Sequence, residues 1–425
     1  MRIAKVKLIF IFIMVLVGCD IEWRPAAKID GEWHKQALLD GHLSHWLAVS
    51  PRPNGYVYPA FTRQWQPIPQ AKSNLTFHTR LIYAFATGYR LSGDKRYLDA
   101  ALDGADFLFR YYHDAEYGGW YQSVDADGNV VDSTKDTYGH AFVIFALAHL
   151  YAVTHDARYK DAALDTWRIL RLHMRDSMGG FRMASSRKFE VGGKENKRQN
   201  PVMHLFEAML ALSIATGSQE ALAGTQGIGN FVMYSLLQGK ADGSAYIEEW
   251  YDENWKPLPT LVKDIQGYGD SGGYIDLGHN FEWAFLLSSA ETHGLGEMYH
   301  LVAQRIMDYA LAMGYDSSVG GSYNRVYSDG SINKVKGGWE QAECLRVLMH
   351  FLVIRNKTEL KSRYEQTLKY VNEEWIDHAN GGWFVQPKSF CDKTECPNAQ
   401  NDPYHMTTMH SEGIDLATAQ KNAKP

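Results

Sequence analysis

The chain has 425 residues, and its 43 lysines and arginines against 49 aspartates and glutamates give a formal net charge of −6. An acidic balance is a poor electrostatic match for a phosphate backbone, which excludes nucleic acid as the expected partner. This length can hold two domains or one large one, and the internal repeat described below favours one.

Residues 1–18 are predicted to be a signal peptide. Basic residues precede an apolar run, Leu8 to Val17, which is too short to cross a bilayer comfortably. The run ends in Leu16-Val17-Gly18-Cys19, which resembles the cleavage box of bacterial lipoproteins. That resemblance implies cleavage before Cys19, a lipid on its sulfur, and an exported protein anchored to a bacterial membrane, on the periplasmic side or at the cell surface. An uncleaved anchor and ordinary secretion are the alternatives, and residues 19–30 are interpreted as a linker.

Turns that combine glycine with an aromatic residue recur along the rest of the chain. Gly118-Gly119-Trp120 returns as Gly179-Gly180-Phe181 after 61 residues, and the Gly320-Gly321 turn returns after the same interval as Gly381-Gly382-Trp383. Weaker versions stand near residues 54 and 243. Glycine permits the tight backbone, and the aromatic residues that follow suit a short strand. A periodicity of this length is typical of a stacked helical repeat.

Between these turns, apolar stripes and capping residues predict pairs of helices. The predicted helices are about Glu32–Ala48, Arg80–Leu91, Asp94–Tyr112, Tyr138–Val153, Asp156–Met174, Val202–Ala215, one capped by Ser218, His279–Glu291, Gly296–Met313, Gly338–Ile354, Thr358–Trp375 and one from about His405. The first lacks a predecessor and the last lacks a successor, so the two complete each other if the chain closes on itself.

We therefore predict that residues 31–425 form one all-α catalytic domain. Its architecture is an (α/α)6 barrel of six inner and six outer helices, with short β-hairpin turns at one end. The inner helices should be buried on all sides, and the nearly all-apolar run from Ala141 to Leu150 fits this. An open superhelix of helical hairpins is the alternative.

The connection from Leu258 to Leu277 is longer than the others and rich in glycine. Such an insertion is either a lid over a site or a tolerated surface loop. Among the cysteines, Cys391 and Cys396 are close enough in sequence for a loop disulfide in an oxidising compartment. Cys344 lies in a helical pattern and is predicted to be a buried thiol.

Each predicted inner helix begins near a distinctive side chain. These are Arg80, His140, His204, His279, the Trp339-Glu340 pair and His405. In a closed ring all six starts point to the same end, so these side chains should surround one cavity. Helix N-termini disfavour the charged form of imidazole, so the histidines should be neutral and able to act as bases near pH 7. A single histidine at a helix start is more often a cap or a core group, but four in register favour a shared role.

Two of these histidines have a glutamate three residues later, His204 with Glu207 and His279 with Glu282. This spacing puts both side chains on one helical face, so each glutamate is expected to orient its histidine. Bundle metal sites use the same spacing. Because the histidine comes first here and each glutamate lies one turn deeper, a metal is the minor alternative.

This set of groups suits proton abstraction next to a carbonyl. An open-chain sugar has an acidic hydrogen at carbon 2, and its removal leaves an enediolate whose charge needs donors such as Arg80. A base and an acid on opposite faces give epimerisation, whereas one group that moves the proton between carbons 2 and 1 gives aldose–ketose isomerisation. Neither reaction requires a metal or a cofactor. Trp120 and Trp383, at turns expected to face the mouth, are candidates for stacking on a sugar ring.

Six motifs stand at or near these helix starts. They are His78-Thr79-Arg80, Lys135 with Tyr138-Gly139-His140-Ala141-Phe142, Asn200 through Ala208, Gly278 through Trp283, Trp339 with Gln341-Ala342-Glu343, and Pro403-Tyr404-His405. In this order, over about residues 30 to 418, the chain resembles the N-acylglucosamine 2-epimerase superfamily, which includes cellobiose 2-epimerases and mannose isomerases. Two features depart from that pattern. Glycines precede Trp339 where relatives often have an aromatic residue, and the family is mostly cytoplasmic.

The resemblance implies an (α/α)6 barrel and cofactor-free chemistry at carbon 2, with His279 and His405 as the acid–base pair. It also implies that His204 assists binding or ring opening and that Arg80 contacts the sugar oxygens at carbons 1 and 2. The expected substrate-binding residues are Arg80, Tyr138, His140, Asn200, His204, Glu207, Glu282 and Trp339. His140 is closer to the isomerase branch, which favours a monosaccharide.

The leading hypothesis is thus an isomerase, a sugar 2-epimerase or an aldose–ketose isomerase, whose partners are a small sugar and, through the lipid, a membrane. A glycoside hydrolase or lyase on the same barrel is the alternative, because hydrolysis needs two carboxylates and several glutamates are available. That alternative assigns no catalytic role to His279 and His405. A non-catalytic sugar-binding lipoprotein is the third hypothesis.

Overall fold

The computed structural model describes residues 28–50, 52–68, 73–190, 192–262, 271–390 and 402–423. Cys19, Cys391, Cys396 and the signal peptide lie outside the described residues, as do most of the predicted linker and the centre of the Leu258–Leu277 connection. The predictions about lipidation, the disulfide and a lid therefore remain predictions.

The described residues contain thirteen α-helices. They are α1 (Gly31–Leu38), α2 (Ser44–Val49), α3 (Leu75–Ser92), α4 (Lys95–Phe107), α5 (Thr137–Thr154), α6 (Ala157–Ile169), α7 (Gln199–Thr216), α8 (Gln219–Phe231), α9 (Leu277–Ala290), α10 (Glu297–Gly314), α11 (Gly338–Val353), α12 (Lys361–Glu374) and α13 (Tyr404–Asn422). A single π turn, Leu39–Leu43, joins α1 to α2, so these two helices act as one. The predicted helices are confirmed, with ends that differ by a few residues.

Six of these helices form a closed inner ring. Helices α3, α5, α7, α9, α11 and α13 pack in that order, and α13 packs back against α3. Each inner helix also packs against one outer helix, and α1 covers α13. The first and last helices therefore complete each other as predicted, and the architecture is the predicted (α/α)6 barrel rather than an open superhelix.

The turn from an inner to an outer helix is built alike in three successive hairpins. The inner helix ends on a residue with positive φ, namely Gly93, His155 or Gly217. The next residue accepts a hydrogen bond from the first turn of the outer helix, namely Asp94, Asp156 or Ser218. Both devices satisfy backbone groups that a helix end leaves unpaired.

Short strands lie at the other end of the barrel, where the inner helices begin. They are β1 (Ser123–Val124), β2 (Val130–Asp132), β3 (Lys135–Asp136), β4 (Ala184–Ser185), β5 (Lys197–Arg198), β6 (Leu237–Gly239), β7 (Ala245–Ile247), β8 (Trp250–Tyr251), β9 (Thr260–Val262), β10 (Ser271–Gly272), β11 (Ile275–Asp276), β12 (Arg325–Val326) and β13 (Ile332–Asn333). The antiparallel pairs are β1–β2, β3–β4, β5–β8, β6–β7, β9–β10, β11–β12 and β12–β13. Several pairs join consecutive repeats, so residues far apart in sequence meet at this rim.

Helix α5 is the one described helix that is long and apolar enough to cross a membrane. It belongs to the inner ring, and two thirds of its apolar stretch is buried inside the protein. Its composition is explained by burial against α3 and α7, as predicted for an inner helix. Cys344, on the inner helix α11, is a buried free thiol, also as predicted.

Candidate active site

His279 lies in the first turn of α9, at the rim end of the ring. Its Nδ1 is 2.7 Å from a carboxylate oxygen of Glu249, a residue that lies between β7 and β8. Asp276 caps the helix by accepting a hydrogen bond from the His279 backbone N–H. Burial alone would lower the pKa of His279, but the carboxylates of Glu249 and Asp276 outweigh it and the pKa is raised above 6.5. The direction of this shift is opposite to the one expected from the helix N-terminus alone.

His405 lies at the start of α13 and shares with His279 a contact to the Trp339 ring. Its Nδ1 is 2.9 Å from a carboxylate oxygen of Glu343 on α11. The Trp339 ring contacts both histidines, with its centre 4.8 Å from the His279 ring and 5.3 Å from the His405 ring. A carboxylate only accepts hydrogen bonds, so the Nδ1 of each imidazole carries the hydrogen and the Nε2 of a neutral ring is left with a lone pair.

His204, on α7, completes the histidine set. Its Nδ1 is 3.0 Å from Glu207, the residue one turn later, as the sequence spacing predicts. The hydroxyl of Tyr404 donates to the same carboxylate at 2.5 Å. Burial lowers the pKa of His204 to about 4 despite the hydrogen bond with Glu207. This imidazole is therefore neutral at physiological pH.

Glu282 has a different role from the predicted one. It lies beside Tyr404, at 3.5 Å, and not beside His279. Burial and the nearby carboxylates of Glu343 and Glu207 raise its pKa well above the usual range, which favours the protonated acid. The residue that orients His279 is Glu249, because the side chain three residues along the helix points deeper into the barrel.

A buried arginine neutralises the remaining negative charge beneath the cavity. The Arg346 guanidinium lies 3.2 Å from Glu343 and 3.9 Å from Glu207. It also lies over the Phe285 ring, 3.7 Å from its centre. Breaking such a pair would leave an uncompensated buried charge, so these carboxylates and Arg346 form one unit.

Arg80 forms the opposite wall. It donates to the Tyr138 hydroxyl at 2.8 Å and lies over the rings of Phe142 and Tyr404. Its Nε and the side-chain oxygen of Asn200 are buried and have no hydrogen-bond partner among the described residues. The Tyr138 ring in turn contacts His204, with centres 5.1 Å apart. The structure thus brings together nine of the ten predicted catalytic and substrate-binding residues at this end of the barrel.

The tenth, His140, does not face the cavity. Its Nδ1 bonds with the backbone oxygen of Asp136 at 2.7 Å, and its Nε2 accepts from the backbone N–H of Trp120 at 3.0 Å. Both ring nitrogens are used, so the predicted substrate contact is corrected to a structural role. The two tryptophans proposed to stack on sugar are also buried, and the Trp120 indole donates to Thr166 in the core.

Sequence reasoning missed three residues that position the site, Glu249, Arg346 and Tyr404. Glu249 reaches His279 because its backbone N–H donates to Tyr274 and the nearby Ile247 backbone pairs with the Asn280 side chain of α9, and no pattern in the sequence signals these contacts. Arg346 looks like an ordinary residue within an apolar helix. Tyr404 had a signal, because it belongs to the quoted Pro403-Tyr404-His405 motif, but its partner Glu207 is 197 residues away.

Two sets of side chains have the spacing of metal ligands. The donor atoms of His204, Glu207 and Glu282 lie within 4.8 Å of one another, and so do those of Glu282, Glu343 and His405. Glu207 and Glu343 are also held by Arg346 beside both sets, so a positive charge already occupies the position next to these carboxylates. The chemistry described below uses the side chains alone.

The N-acylglucosamine 2-epimerase (GlcNAc 2-epimerase) family profile matches residues 55–409. The chain therefore belongs to the N-acylglucosamine 2-epimerase family, which confirms the resemblance read from its motifs, and it is an enzyme of the isomerase class.

Individual relatives extend over most of the chain. A cellobiose 2-epimerase from Eubacterium cellulosolvens is 24% identical over 392 residues, covering 88% of this chain and 95% of the relative. A D-mannose isomerase from Marinomonas mediterranea is 24% identical over 362 residues, covering 84% of this chain and 89% of the relative. The structure of cellobiose 2-epimerase from Spirochaeta thermophila superposes with a TM-score of 0.79 at 21% identity, covering 92% of this chain and 97% of that one.

Proposed function

We propose that this protein interconverts reducing sugars at carbon 2 by moving a proton, either as a sugar 2-epimerase or as an aldose–ketose isomerase. The observation that carries the proposal is the pairing at the cavity. His279 and His405 contact the same Trp339 ring, and each has its Nδ1 bound to a carboxylate. In the proposed complex the Nε2 of each ring faces the substrate, because each Nδ1 is already bound to a carboxylate.

The proposed reaction begins when one imidazole removes the hydrogen at carbon 2 of the open-chain sugar. The electron pair moves into the carbon 1–carbon 2 bond, and the carbonyl oxygen becomes the oxyanion of an enediolate. Arg80, whose Nε has no partner among the described residues, stabilises that charge as a permanent cation. Return of a proton to carbon 2 from the other imidazole inverts the centre, whereas its delivery to carbon 1 gives the ketose.

The proposed substrate class is a reducing mono- or disaccharide. Relatives named cellobiose 2-epimerase and D-mannose isomerase support both sizes. The sequence argument for a monosaccharide rested on His140, and that argument is lost because both His140 nitrogens bond to the backbone.

Proton NMR of a panel of reducing sugars in deuterated water tests the proposal. We expect loss of the carbon 2 proton signal together with the appearance of an epimer or a ketose. Free monosaccharide released from a disaccharide, without isomeric product, would instead support the glycoside hydrolase hypothesis. No exchange with any sugar would support a non-catalytic binder.

We also propose export and lipid anchoring at Cys19. The support is the Leu16-Val17-Gly18-Cys19 sequence after a basic and apolar start. Metabolic labelling with a radioactive fatty acid tests it, because the wild-type chain should be labelled and the Cys19→Ala chain should not. An equally labelled variant would contradict the proposal.

A further inference from the structure

Glu249, the carboxylate that holds His279, is itself held by a cation at the rim. Arg198 donates to its Oε1 through Nε at 2.8 Å and through Nη2 at 2.5 Å. The Oε2 accepts from His279 at 2.7 Å and from the side-chain amide of Gln199 at 2.7 Å. Every lone-pair direction of the buried carboxylate is therefore engaged, which fixes its rotamer.

The position of Arg198 is set by the fold rather than by chance contact. Its backbone pairs with Trp250 across β5 and β8, and its guanidinium lies over the Trp250 ring at 4.8 Å. Gln199 is locked in the same way, because the Trp283 indole donates to its amide oxygen at 2.6 Å. Neighbouring residues of one segment thus clamp the carboxylate from two sides.

The same order of groups recurs at the second imidazole. Arg346 pairs with Glu343, and Glu343 pairs with His405. Each histidine of the proposed acid–base pair therefore ends an Arg–Glu–His chain, and the two chains come from different repeats. The chains differ in exposure, since the side chain of Arg198 is 29% exposed and that of Arg346 is 9% exposed.

The charged groups around His279 are Glu249, Asp276, Glu340 and Arg198, and a second cation, Arg325, lies beside Asp276 and over the Tyr274 ring. Of the two cations, Arg198 acts on His279 directly, whereas Arg325 acts on Asp276. A guanidinium stays protonated at all working pH values, so it opposes the carboxylates permanently. Without it, the carboxylates would hold the proton on His279 too tightly for release to a carbon atom.

We propose that Arg198 is a positioning residue for the reaction. It fixes Glu249 as an oriented carboxylate, and its charge keeps His279 able both to take up and to release a proton. The inference rests on the proposed function, because it assigns Arg198 to the same proton transfer.

The test compares Arg198→Gln and Arg198→Lys with the wild type. Arg187→Gln is the matched control, because Arg187 also donates two hydrogen bonds to a buried carboxylate, one to each oxygen of Asp114, away from His279. The measurements are the pH profile of kcat/KM and the NMR titration of His279. Circular dichroism and melting curves check that each variant folds.

For Arg198→Gln we expect the His279 titration and the corresponding limb of the pH profile to move to higher pH, with kcat at pH 7 reduced roughly tenfold or more. In Arg198→Lys this limb of the pH profile should return to its wild-type position, but kcat should stay below the wild-type value. Lysine supplies the charge without the two hydrogen bonds of the guanidinium. Arg187→Gln should leave the His279 titration, the pH profile and kcat unchanged.

A pH profile of Arg198→Gln that is only scaled down uniformly, with an unmoved His279 titration, would overturn the inference. Failure of the proposed function and failure of the Arg198 inference give different results. If wild-type protein exchanges no carbon 2 hydrogen, the proposed function fails, whereas the His279 titration still reports whether Arg198 controls this imidazole.

Discussion

Two groups of three buried histidines differ in what their nitrogens touch. The cavity group is His204, His279 and His405, and each has its Nδ1 within 3.0 Å of a glutamate. The seam group is His34, His42 and His410, where the first and last helices close the ring. There the Nδ1 atoms of His34 and His410 lie 3.1 Å from each other, and His42 has no hydrogen-bond partner among the described residues.

Carboxylates that face a buried imidazole can outweigh the effect of burial on its pKa, as they do at His279 but not at His204. Burial lowers the pKa of His34 to about 3 and that of His42 to about 4. His279 is equally enclosed, yet its pKa is raised because Glu249 and Asp276 face it. The surroundings of His279 thus favour its protonation, whereas burial keeps the seam group in the neutral form at neutral pH.

The largest effect should come from removing a cavity imidazole. Changing His279 or His405 to Ala should lower the rate of carbon 2 hydrogen exchange by about 10²–10⁴-fold, because a positioned acid or base is lost. Exchange is measured by NMR in deuterated water. The control is His293→Ala, at an exposed residue on the Glu291–Leu295 turn. Full activity in either cavity variant would refute its assignment.

Removal of the charge behind His405 should have the next largest effect. In Glu343→Gln the imidazole loses its anionic partner and Arg346 loses one of its two carboxylates. We expect kcat to fall roughly 10²-fold and stability to fall by up to about 3–5 kcal/mol, since the buried Arg346 keeps only its longer contact, with Glu207. Steady-state kinetics and urea unfolding measure the two effects, and unchanged kcat would contradict the role of Glu343.

The seam histidines should make the fold sensitive to acid. Their pKa values are lowered from 6.5 in the folded state, so their contribution to stability is complete above pH 6.5 and is lost as the pH falls toward 4. The charged or titratable groups near them are Asp30, Asp402 and His45.

Between pH 6.5 and 4, each seam histidine should lower the free energy of unfolding by up to about 1.4 kcal/mol for each unit that the pH falls. Urea unfolding between pH 8 and pH 4 measures this slope. His34→Asn should be less stable at pH 8 but should show a flatter decline in acid. Parallel curves for wild type and variant would contradict the explanation.

The smallest effect on activity should come from His140, which resembles the cavity histidines in sequence only. In His140→Ala the backbone groups of Asp136 and Trp120 lose their partner. We expect a loss of about 1–3 kcal/mol in stability with kcat and KM within roughly twofold of wild type. A large rise in KM would restore His140 as a substrate contact.

His140 and His204 show how far the sequence could lead. The repeat and the capping residues predicted the ring, and the ring placed both histidines at the head of an inner helix. What separates them is the neighbouring backbone, since the Gly119-Trp120 turn folds onto His140 whereas His204 meets Glu207 and the Tyr138 ring. Such contacts depend on packing between repeats and leave no periodic signal.

Glu249 shows the same limit for charged partners. The sequence offered Glu282 at helical spacing from His279, and that interpretation was wrong because the side chain points toward Tyr404. The true partner, Glu249, comes from the segment between β7 and β8, which Tyr274 and Asn280 hold against the start of α9. Local spacing correctly paired His204 with Glu207, so helical rules succeed when both partners share one helix and fail when the partner comes from another repeat.

A crystal structure with a sugar alditol, a stable mimic of the open chain, tests the central claim most directly. The account predicts that carbon 2 lies between His279 and His405, with the Nε2 of each within about 3–3.5 Å on opposite faces, and with Arg80 bound to the oxygens at carbons 1 and 2. An alditol bound in one crevice while either imidazole faces another would contradict it.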